Sequence, residues 1–142
     1  MQTAIGIGAI VLAAIGLVFQ FVSAVNFKLA QRWGLQEKES ETDPLYWRLE
    51  RNTARWDLCV NWTLLVAGIL MLLDHSWWPY VALVAGGVYV DEGGREIAKV
   101  LGLQSEGVRI GDKGAVRFAL AFLALWGAIG VVVGVYGLVE VV

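Results

Sequence analysis

The chain is poor in the residues that build cofactor and metal sites. Among 142 residues there is one cysteine, Cys59, and one histidine, His75. A single cysteine excludes an internal disulfide and any thiolate cage for a metal. A single histidine excludes bis-histidine haem and multi-histidine centres within one chain. Asp74, His75 and Glu140 form only a scattered set, so no metal and no cofactor are expected. Proline occurs twice, and the formal net charge is −2. With no basic tail, nucleic acid is not an expected partner. Lysine and arginine are missing altogether from three stretches: 1–27, 56–94 and 118–142. The start of the chain thus lacks the charged region of a signal peptide, and the first apolar run reads as a retained span.

Apolar sequence is abundant. Hydrophobic residues make up 58% of the chain and charged residues only 17%, against about half and a quarter in soluble domains. The excess is gathered into runs at about 4–25, 58–73, 77–90 and 115–139. The outer two reach the ~20 residues needed to cross a ~30 Å hydrocarbon core. The middle two are short and are joined by the tight link Asp74-His75-Ser76. The fold expected is all-α: a four-span transmembrane bundle forming one domain, 1–142, with helices 1 and 2 extended into the cytosol.

The charge map orients it. All eleven basic residues fall in the two long loops or at their edges: 28, 32, 38, 48, 51 and 55 in the first, 95, 99, 109, 113 and 117 in the second. The positive-inside rule places these in the cytoplasm and both termini outside, in a bacterial or archaeal cytoplasmic membrane. Length and span count resemble those of small multidrug transporters and small dual-topology fluoride channels. The first span holds no carboxylate, only Gln20 and Ser23, and the one-sided charge argues against dual topology. No residue roles carry over.

Local signals mark the helix ends. Nothing stops the first helix before Gly34, so it is expected to run on past the membrane to Trp33. Thr42 or Asp43 followed by Pro44 should open the second. On that helix Arg48, Arg51 and Arg55 share a face suited to anionic lipid or a cytosolic partner, or to ordinary snorkelling. Asp57 and Asn61 stand one turn apart at the hydrocarbon edge, where a polar side chain needs a partner on another helix. Cys59 reads as a packing residue. Trp77, Trp78 and Tyr80 suggest an outer aromatic belt; Trp33, Trp47 and Trp56 suggest an inner one.

The most informative stretch is 81–99, where an apolar, glycine-rich segment runs unbroken into Asp91, Glu92, Arg95, Glu96 and Lys99. At about 100° per residue, Ala82, Gly86, Tyr89, Gly93 and Ile97 form a small-residue seam. Asp91 and Arg95 lie nearly opposite and can pair at i, i+4. Glu92, Glu96 and Lys99 lie to one side. Gly102 is expected to end this helix. In the last helix Gly127, Gly130, Gly134 and Gly137 make a glycine stripe for close packing, within the chain or between protomers. The segment 30–36 matches 98–104 at Ala, Gly, Leu and Gln, which suggests a parallel repeat of two hairpins, 1–73 and 77–142.

Three functions are compatible with these residues. The first expectation is a non-catalytic accessory, scaffold or lipid-interacting component, because no nucleophile–base set is present. It would contact membrane lipids and act as a homo-oligomer or within a larger membrane complex. The second is a small homo-oligomeric channel or transporter whose cytoplasmic-side vestibule is lined by Asp91, Glu92, Arg95, Asn61 and Asp57. The third, an enzyme acting on lipid headgroups, has no supporting motif.

Overall fold

The computed structural model describes all residues, Met1–Val142. Six helices follow in order: α1 (Gln2–Val25), α2 (Phe27–Arg32), α3 (Pro44–Val60), α4 (Trp62–Leu72), α5 (Trp78–Ser105) and α6 (Lys113–Val141). No strand forms. A single bridge joins Thr42 to Ile110, tying the two long loops together.

The first helix does not run through to Trp33. Asn26 leaves the helical region (φ −135°, ψ 78°), and its side chain accepts the Leu29 N–H at 3.1 Å. Asparagine at this point trades a helical hydrogen bond for a cap. The short α2 turns inward and buries Phe27 and Ala30, with Phe27 packed against Trp47 of α3. Gly34 then supplies the left-handed residue (φ 72°), so that the Leu35 N–H can close back onto the Ala30 carbonyl.

Asp43 caps α3 by accepting the Leu45 N–H at 2.9 Å, with Pro44 in the first turn. The junction between α3 and α4 is a bend rather than a stop, since the Asn61 N–H keeps its bond to the Asp57 carbonyl. α5 passes through Gly102 and ends three residues later. There Gly107 takes φ 74°, and the Val108 N–H reaches the Leu103 carbonyl. The extra turn lets Val100 and Leu103 pack with Ile110 and Val116 in a small inner cluster. Asp112 caps α6 through the Gly114 and Ala115 amides.

Three helices are long and apolar enough to cross a membrane: Gln2–Val25, the bent pair Pro44–Leu72, and Lys113–Val141. The fourth expected span, 77–90, does not stand out in the same way. It belongs to α5, whose apolar part stops at Val90 before the charges at Asp91, Glu92, Arg95, Glu96 and Lys99.

Two close helix pairs make the bundle. In one, α1 lies on α4, and a Cβ added to Gly68 would fall 2.8 Å from the Gly6 carbonyl oxygen. Gly8, by contrast, faces open space. In the other, α5 lies on α6. A Cβ on Gly86 would meet the Gly134 backbone at 2.5 Å; one on Gly93 would meet the Leu123 oxygen at 2.8 Å; one on Gly137 would meet the Pro79 oxygen at 2.6 Å. Gly130 faces Gly86 and Val90, whereas Gly127 has nothing near the position of a Cβ. Between the pairs lies a core of Ala13, Leu64, Ala67, Ala82, Ala85 and Tyr89. The outer surface carries many exposed apolar side chains, among them Val11, Phe21, Leu125, Val132 and Val139. Trp33, Trp56, Trp77 and Tyr80 are exposed as belt residues would be, but Trp78 is buried and stacks on Tyr136.

Candidate functional site

α3 is built inside out. Leu45 and Trp56 face outward, while Ala54 and Asp57 are buried. Its inner face continues through the bend to Asn61, which has no exposed surface. This face meets the buried side of α5, where Tyr89, Glu92 and Glu96 recur at three- and four-residue spacing. The close approach of α5 and α6 brings the Trp126 ring against Tyr89, with centroids 4.9 Å apart.

Glu92 is the centre of this arrangement. One carboxylate oxygen accepts the Trp126 indole N–H at 2.9 Å, and the other accepts the Asn61 amide at 3.2 Å. Glu92 therefore ties α5 to α6 and to the bend between α3 and α4. The Tyr89 hydroxyl donates to the Asn61 carbonyl at 3.3 Å, which holds the bend in place. Glu92 itself is only 4% exposed.

The neighbouring carboxyls are held by cations. Arg95 pairs with Asp57 at 3.0 Å, Asp91 at 3.4 Å and Glu96 at 3.5 Å. Lys99 pairs with Glu50 at 2.7 Å and also with Glu96, and it donates to the Thr53 hydroxyl. Asp57 in addition accepts from Gln20 of α1 at 3.2 Å. Glu92 takes part in none of these ion pairs. Four largely buried carboxyls, Glu50, Asp57, Glu92 and Glu96, thus share two cations, Arg95 and Lys99. Burying charge is expensive unless it is matched, and Glu92 is the one of the four with no ion-pair partner.

The four carboxyls and Trp126 line a cavity of about 540 Å³. At one part of its wall α1 approaches α6, a Cβ on Gly16 falling 3.0 Å from the Trp126 ring. From there it runs past Phe19, Glu92, Asp57 and Phe122 to the loop at Gly34–Glu37. Glu37 stands at that mouth, in the loop between helices. Burial raises its carboxyl above the usual range, the Glu41 and Asp112 charges add to this, and Lys38 partly opposes it.

The sequence-derived candidates divide. Glu92 and Asp57 line the cavity; Asn61 bonds Glu92 without lining it, and Arg95 pairs with Asp57. Asp91 is outside, its side chain 68% exposed, paired with Arg95 at the expected i, i+4 spacing. Arg48 and Arg55 are exposed and Arg51 is half-buried on a different face of α3; Arg48 lies over the Trp47 ring. Of the glycine positions, Gly86, Gly93, Gly130 and Gly137 are buried. Glu50, Glu96, Lys99, Gln20 and Trp126 escaped the sequence reading as partners in one site. The available signal was the run Tyr89, Glu92, Glu96, which extends the small-residue seam by i+3 and i+7. No set of three histidine, cysteine, aspartate or glutamate side chains is grouped to hold a metal ion.

No family model, curated protein or solved structure matches the chain.

Proposed function

We propose that the chain is an integral membrane protein that binds a cation at Glu92, in a cavity open to the cytoplasmic side, and moves it across the membrane as a small transporter or channel. In this reading the chain crosses four times, with α5 as the fourth crossing, both termini outside and the inner ends of α3 and α5 reaching the cytosol. The observation that carries it is Glu92: a buried carboxyl on a cavity wall, held by two neutral donors and by no cation. An intramembrane ionisable residue facing a cavity is the usual mark of an ion or substrate path. Membrane lipids surround the apolar outer face, and the protein works as a homo-oligomer or in a larger membrane complex.

The test is cation flux into proteoliposomes. Wild type should carry flux that Glu92→Gln abolishes while the variant still purifies folded. A folded wild type that passes no monovalent, divalent or organic cation removes the transport reading. One observation favours a second reading, a non-catalytic accessory or scaffold protein. Glu92 ties α5 to α6 and to the bend between α3 and α4; on this reading its role is structural, and Glu92→Gln lowers stability and changes no flux.

A further inference from the structure

The cavity beside Glu92 has two unlike walls. α3 and α5 contribute Glu50, Asp57, Glu92 and Glu96; α1 and α6 contribute Phe19, Phe118 and Phe122. A bare metal ion suits this poorly. Hard cations are held by about six to eight oxygens at ~2.3–2.6 Å, whereas here the acidic groups are not gathered as ligands and three of them are already bound to Arg95 or Lys99. The volume of about 540 Å³ is also far larger than an ion needs. It falls within the ~300–1,000 Å³ of sites that enclose drug-sized organic molecules.

The aromatic wall is continuous. On it Trp126 and Phe122 stack with centroids 5.4 Å apart, and buried Tyr89, which does not line the cavity, backs Trp126 at 4.9 Å. Phe122 is 44% exposed and Phe118, one turn nearer the start of α6, 75%. Aromatic faces attract organic cations through their quadrupoles, and their edges shelter an apolar body from water.

We infer that the cavity takes an organic monocation with an apolar or aromatic body, its charge set against Glu92 and its body against Phe122 and Phe118. The inference rests on the reading of Glu92 as the cation site and adds to it the class of cation. Of the four carboxyls Glu92 alone has no ion-pair partner, and a single positive charge would supply one. Phe122 and Phe118 line the same cavity as that carboxyl and give the body an apolar face.

Calorimetric titration of the full chain in detergent separates the possibilities. The probes are tetraphenylphosphonium, tetramethylammonium, sodium and potassium; the proteins are wild type, Glu92→Gln and Phe118→Ala. Phe118 is exposed, so its truncation leaves the packed core intact. Tetraphenylphosphonium should bind wild type saturably and more tightly than tetramethylammonium. Glu92→Gln should weaken it by roughly tenfold or more, the usual cost of losing a charged partner. Phe118→Ala should weaken it by about threefold, as expected for one aromatic contact with the body. Glu92-dependent binding of only sodium, potassium or tetramethylammonium would overturn the substrate class and leave the Glu92 site standing. Tetraphenylphosphonium binding equal in wild type and Glu92→Gln, with no other Glu92-dependent cation, would overturn both.

Discussion

Replacing Gly86 with alanine adds one methyl group at the tightest point between α5 and α6. The new Cβ would lie 2.5 Å from the Gly134 Cα, 2.6 Å from its nitrogen and 2.7 Å from the Gly130 oxygen. Carbon atoms rest at about 3.5–4.0 Å, so the two helices must part by about 1 Å. All three obstacles are backbone atoms, and no side-chain rotation relieves them. Separation also loosens the neighbouring contacts at Gly93, Gly130 and Gly137. Overpacking of this kind costs about 1–3 kcal/mol, and the rigid neighbours place this case at the upper end. Gly87→Ala is the control: a Cβ there meets nothing within 4 Å, so the change should be neutral or gain a fraction of the ~1 kcal/mol helix preference of alanine. The assay is thermal unfolding of both variants in the same detergent, followed by circular dichroism. Gly86→Ala should fall by about 3–9 °C, while Gly87→Ala should not fall. Equal shifts in the two variants would refute the packing of α5 on α6.

Three other outcomes are expected. Lys99→Met leaves Glu50 and Glu96 without the lysine that joins them and should cost about 3 kcal/mol, the lower end for breaking a buried pair. Adding Glu50→Gln should recover part of that loss by chemical denaturation, whereas strict additivity would show that the three groups are not coupled. Trp126→Phe keeps the stacking on Tyr89 but removes the indole donor to Glu92; it should cost about 1.5–3 kcal/mol in stability, and an unchanged midpoint would contradict the bond. Glu37→Gln tests the cavity mouth. A carboxyl raised by burial holds its proton more tightly in the folded chain than in the unfolded one, so ionised Glu37 opposes folding and stability falls as pH rises through its raised value. The glutamine variant should therefore be more stable than wild type at pH ~7, by under about 1 kcal/mol because the side chain is partly solvated. The gain should vanish in unfolding measured near pH ~3, where the carboxyl is protonated in both states.

Much of the architecture is legible from local chemistry. Asp43 and Pro44 announce the start of α3, Gly34 the end of α2, and the long apolar runs the helices able to cross a membrane. The errors share a cause: a local signal was overridden by, or depended on, contacts made elsewhere. Asn26 sits among good helix formers, yet its cap on Leu29 lets Phe27 fold back onto Trp47. Gly102 looks like a helix stop, yet α5 continues to Ser105, beside the cluster around Val100, Ile110 and Val116. Trp78 resembles its neighbour Trp77 in sequence but is covered by Tyr136. The helical wheel places Asp91 outward, as the structure does, but sets Glu92 and Glu96 merely beside the seam. Only the bend at Asn61 and the indole of Trp126, far away along the chain, turn that flank into the wall of a cavity.

The central claim is that Glu92 faces the cavity and holds a cation there. It is tested most directly by carboxyl modification of the reconstituted protein with a hydrophobic carbodiimide, the site and rate being read by peptide mass spectrometry. Glu92 should be modified, and tetraphenylphosphonium should slow its modification while leaving that of exposed Asp91 unchanged. A Glu92 that never reacts, or one that reacts at the same rate with and without the cation, would contradict the account.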